Sequence, residues 1–94
     1  MIKKLTIMGT QHSVRWNARL KDDWGDFDAE KKLIRIAKAP LLQQRETLLH
    51  EVMHAIEEQY GFDMNHDHLT LMARGLLAVL RDNPEFREVL LGEE

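Results

Sequence analysis

The chain has 94 residues, 44% of them hydrophobic and 31% charged, with a formal net charge of −3 and no cysteine. That length holds one modest core and not two domains, and the composition is that of a folded globular chain rather than a disordered one. The missing cysteines exclude disulfides, thiolate zinc sites and thiol catalysis, and the lack of any basic block gives a nucleic-acid partner no electrostatic support.

The start, Met1 to His12, carries two lysines but lacks the apolar run of a signal peptide. "GLLAVL" is the longest uncharged apolar stretch and is far below the ~18 residues of a membrane span. The expectation is a soluble, cytoplasmic protein with no membrane partner. Residues 1–36 read as a strand region. Leu5 to Met8 is apolar and partly β-branched, with a break at Gly9-Thr10, and Ser13 to Trp16 alternates polar with apolar. The "DDWGDFD" run from Asp22 to Asp28 reads as a turn or exposed loop. Leu33 to Ile36 alternates again, Leu33 and Arg35 against Ile34 and Ile36, and its basic flanks suit an edge strand.

Pro40 fits a helix start. From there to Tyr60 a helical stripe runs through Leu41, Leu48, Leu49, Val52, Met53 and Ile56, with Gly61 as the C-terminal cap. A second helix over 66–82 carries Leu69, Met72, Ala73, Leu76, Leu77 and Leu80 on one face behind an Asn65 cap. Asn83-Pro84 restarts a short helix over 84–91, closed by Gly92. The expected fold is α+β in a single domain. A small, mostly antiparallel sheet of about three strands packs on the first helix, and a second long helix and a short C-terminal helix follow.

The first helix also carries "TLLHEVMHAIEE". At 100° per residue, His54 lies about 40° from His50, so both imidazoles leave one face a turn apart. That spacing suits one tetrahedral zinc at ~2.0–2.1 Å. Glu51 lies about 100° from His50, near enough to reach a metal-held water without ligating. The apolar stripe centres near 220°, roughly opposite the histidines. With the histidine and glutamate content of this chain, chance alone gives H-E-x-x-H about 0.024 times.

A catalytic zinc takes three protein ligands and keeps one position open. "GFDMNHDHLTL" offers His66, Asp67 and His68. Relative to Leu69, the second helix's apolar face centres near 10°, which puts His66 at about 60°, Asp67 at 160° and His68 at 260°. Only His66 faces the first helix. Four extended residues, Phe62 to Asn65, cover ~13 Å and bring His66 back level with His54. His66 is the expected third ligand, Asp67 the next choice, with His68 or a glutamate such as Glu57 behind. Surface exposure is the default for His68 and for the lone His12.

His50-Glu51-x-x-His54, led by "TLL", resembles the zincin metallopeptidases. The wider run "RETLLHEVMHAIEEQYG" with "LMARGLLAVLRDNPEF" is similar to very small phage-type zincins, reduced to one catalytic core. The resemblance implies a zinc-dependent endopeptidase acting on peptide or protein substrates, with an edge strand beside the cleft. It departs from larger zincins in lacking the metzincin glycine and third histidine and the usual glutamate-bearing helix. On this reading Zn²⁺ held by His50, His54 and His66 activates water, and Glu51 is the catalytic base. Tyr60, His12 and His68 are the candidates for stabilising the oxyanion. The edge strand Leu33 to Ile36 is a candidate dock for an extended substrate, a merely protected edge being the equal alternative. The competing reading is a zinc-stabilised interaction module with weak or lost peptidase activity. A helix-turn-helix DNA binder is disfavoured, because from Leu69 to Leu80 the second helix carries one arginine and no lysine.

Overall fold

The computed structural model describes residues 1–92. Four strands, β1 (Lys4–Ile7), β2 (Thr10–Ala18), β3 (Gly25–Asp28) and β4 (Leu33–Ala37), precede three helices, α1 (Leu41–Tyr60), α2 (His66–Asp82) and α3 (Pro84–Leu91). The α+β expectation and all three helices hold. The sheet has one strand more than expected and is mixed: in the order β1-β2-β4-β3, the outer pairings are antiparallel and β2–β4 is parallel.

Two sequence expectations are corrected here. "GDFD" is a strand, not a loop, and β4 is interior, so the sheet's edge beside the helices is β3. The β1–β2 turn falls on Met8-Gly9, both at positive φ (48° and 84°), the two-residue hairpin geometry that matches strand twist.

The core lies between the sheet and α1. Ile7, Val14, Ile34, Ile36 and Ala55 are buried, with Phe27, Leu48, Val52 and Ile56 packed around them. Ile34 and Ile36 fall on the inner face as their alternation requires, while Arg35 points outward and pairs with Asp26. His12 shares the inward parity of Val14 and is 1% exposed, not on the surface. Its Nδ1 donates to the Thr10 carbonyl at 2.9 Å, and its ring lies 5.8 Å from Phe27.

The buried face of α1 also differs from the apolar stripe. Gln44, Thr47, Glu51 and Ala55 are buried on the sheet side, about 60–140° around the wheel from His50 and not opposite it. Gln44 is satisfied by Asn17 Oδ1 (3.0 Å) and the Ala37 carbonyl (3.1 Å), and Thr47 by the Gln43 carbonyl (2.8 Å). On its other side α1 packs against Leu69 and Ala73 of α2, both buried, whereas Met72 and Leu76 of the expected stripe remain exposed.

Close approach of β3 to α1 requires Gly25. A Cβ there would sit 2.5 Å from Thr47 Cγ2 and 2.8 Å from the Arg35 carbonyl. Gly25→Ala is expected to cost about 1–3 kcal/mol by overpacking. Thr47→Ser in the same chain relieves only the methyl contact, so chemical denaturation should show partial rescue. Parent-like stability of Gly25→Ala would sink this account.

Candidate metal centre

His50 and His54 project from α1, and His66 is the first residue of α2. One ligand nitrogen from each lies within 4.8 Å of the others. The Nε2 atoms of His50 and His54 are 3.0 Å apart, and the His66 ring centroid is 4.9 Å from that of His50 and 5.9 Å from that of His54. Two nitrogens on one tetrahedral zinc stand about 3.3 Å apart. Three imidazoles converging from two elements therefore fit the ligand set of a zinc-type ion.

Local sequence explains how His66 arrives there. Gly61 ends α1 in the left-handed conformation (φ 75°), its N–H donating to the Glu57 carbonyl. Residues 62–65 have no regular structure and run back along α1. Asn65 Oδ1 then accepts from the Asp67 and His68 amides (2.9 and 3.2 Å), starting α2 at His66.

Glu57 ties these pieces together. It is 5% exposed, accepts from His54 Nδ1 at 2.7 Å through one oxygen, and accepts the Met64 amide through the other. It therefore stands behind His54 as an orienting group, not among the ligands. His50 is backed more weakly by Thr70 Oγ1, 3.5 Å from its Nδ1. Both contacts leave the Nε2 atoms facing the centre. Glu57→Gln is expected to weaken zinc affinity about 10- to 100-fold, the usual cost of losing a histidine's carboxylate partner. Competition titration with a chromophoric chelator measures it, and unchanged affinity would remove Glu57 from the site.

Electrostatics agree with this arrangement. Burial, with His54 and His66 nearby, lowers the His50 pKa to about 4, so the imidazole is neutral and free to ligate at pH 7. Glu51 is 5% exposed, and burial together with Asp26 and Asp23 pushes its carboxyl up to about 7. A carboxylate near neutrality is suited to both taking up and returning a proton.

These groups line one cleft of about 650 Å³ between β3, α1 and α2. His50, Glu51, His54 and His66 all line it; Asp67, His68, Tyr60 and His12 do not. Asp67 and His68 lie exposed beyond the α2 cap and belong to no metal-ligating group among the described residues. None of the three residues considered for the oxyanion reaches the site. Sequence reasoning missed Arg74, which lines the cleft and lies 3.5 Å from Glu46. Its spacing, one turn beyond Thr70 and two beyond His66, was the available signal. Among the described residues no helix is long and apolar enough to cross a membrane. Compared with known proteins, the chain matches no family model, no curated protein and no solved structure.

Proposed function

We propose that the protein is a zinc-dependent peptidase, in which His50, His54 and His66 hold the metal and Glu51 is the general base. The observation that carries the reading is a buried carboxylate, raised to about 7, lining the same cleft as three converging imidazoles. When bound, zinc supplies Lewis acidity, lowering the pKa of a water toward ~7 and polarising a carbonyl. Glu51 accepts the attacking water's proton and returns it to the leaving amine. Glu57 and Thr70 hold His54 and His50 in the orientation and tautomer that ligation needs. Arg74, among the described residues the one side chain of fixed positive charge lining the cleft, is the proposed stabiliser of a developing oxyanion.

An extended peptide would add to β3. Trp24 and Ala37 are hydrogen-bonded partners across β3–β4, the Ala37 amide donating to the Trp24 carbonyl at 2.7 Å. Because such pairs alternate, Gly25 and Phe27 turn their N–H and C=O groups to the open edge. Main-chain pairing there would carry a substrate past Glu51.

The test is cleavage of a quenched-fluorescence peptide library by protein reconstituted with one zinc per chain. Cleavage that stops on chelation and returns with zinc is the expected result. Full zinc occupancy without cleavage would instead favour the zinc-stabilised interaction module.

A further inference from the structure

The cleft is charged far beyond what a metal and a base require. Eight carboxylates line it against the single guanidinium of Arg74. Some already have partners: Asp26 pairs with Arg35 and Glu46 with Arg74, while Glu57 is held by His54 Nδ1 and the Met64 amide. Asp22, Asp23, Glu58 and Asp63 make no salt bridge among the described residues. The Glu51 side chain, which lines the same cavity, also makes no hydrogen bond among the described residues. A cleft whose charged lining is almost wholly carboxylate favours a ligand that brings donors and positive charge.

Asp22 and Asp23 stand next to an exposed aromatic. Trp24 lines the cleft with 58% of its surface open, which a tryptophan serving only the core would not do. The segment is held in place from its C-terminal side. Gly25 is wedged against Thr47, and the Trp24 carbonyl is bonded to Ala37. Two carboxylates without a salt bridge among the described residues, next to an exposed indole, suit an ammonium or guanidinium: charge-assisted hydrogen bonds to the carboxylates, a cation–π contact with the indole.

We propose that the cleft selects peptides bearing a lysine or arginine side chain, received by Asp22, Asp23 and Trp24. The proposal takes the site to be a peptide site, and its test does not depend on turnover. Three fluorescein-labelled decapeptides, identical except for a central Lys, Ala or Glu, are titrated by fluorescence anisotropy into Glu51→Gln protein, with and without zinc. The Lys peptide should bind about tenfold tighter than the Ala peptide, the Glu peptide weakest, with the gap narrowing as salt rises.

Asp22→Asn with Asp23→Asn should shrink the Lys-to-Ala ratio below about twofold, and Trp24→Ala should reduce it by about threefold. Glu85→Gln with Glu88→Gln on α3 removes the same charge far from the cleft and should keep the ratio. Equal binding of the three peptides, or a preference that survives loss of both aspartates, overturns the proposal. Cleavage by the parent chain is scored separately. A lysine preference in binding without turnover overturns the peptidase reading and supports this one; turnover with no preference does the reverse.

Discussion

On the proposed function, Glu51→Gln is expected to keep zinc and to lose peptide hydrolysis by about 10²- to 10⁴-fold, the range over which a positioned general base acts. The amide keeps the shape of the carboxylate but cannot accept the water's proton. Zinc retention is expected because Glu51 is not among the converging nitrogens, which come from His50, His54 and His66. Elemental analysis and cleavage rate are measured on the same preparation. A variant that cleaves at the parent rate sinks the assignment of the base; one that loses its zinc makes Glu51 a ligand.

The same substitution has a second consequence in metal-free protein, where Glu51 is raised from 4.5 to about 7. Its folded state holds the proton more tightly than the unfolded chain, so its contribution to stability falls as pH rises from 4.5 to 7. The shift corresponds to roughly 3 kcal/mol for this buried group. His50, lowered from 6.5 to about 4, acts in the opposite sense, its contribution rising with pH between 4 and 6.5. In the parent these two slopes oppose each other. Glu51→Gln removes the first, so metal-free variant should melt above parent at pH 8, with the advantage closing toward pH 4.5. Coincident melting curves at pH 8 would contradict the burial cost assigned to this carboxylate.

The helices were legible because their limits are local chemistry. Pro40, Gly61, Asn65, Pro84 and Gly92 each act within a turn of themselves, and α1, α2 and α3 begin and end on them. The β3 strand was not legible. Asp and Gly read as turn, and only pairing with Ile34 and Arg35 and the wedge of Gly25 into α1 make the segment extended. β4 read as an edge because its flanking lysines describe its ends, while its neighbours are set by topology. The sheet-facing side of α1 was hidden for another reason. Gln44 and Thr47 are buried through hydrogen bonds, which a search for apolar periodicity passes over. The histidine pair survived this error, since its spacing fixes a shared face whichever side is packed.

His66→Ala should release zinc as fully as His50→Ala or His54→Ala. Three nitrogens lie within 4.8 Å of one another, and removing any one leaves a two-ligand site. Asp67→Ala should retain zinc, because its side chain lies outside the cleft. The loss should also be structural. His66 opens α2 and the other two histidines stand on α1, so a bound metal would clip two helices between which, among the described residues, α2 buries only Leu69 and Ala73. At free zinc ~1,000 times its dissociation constant, binding the folded state alone adds about 4 kcal/mol. For a domain of this size that is about 15–30 °C in melting temperature. Chelation of the parent should lower Tm by that order, and each histidine variant should already melt near the chelated value with no response to zinc. A His66→Ala chain that keeps one zinc and the parent's melting temperature would move the third ligand elsewhere on the cleft wall, and would break the link proposed between the metal and the docking of α2.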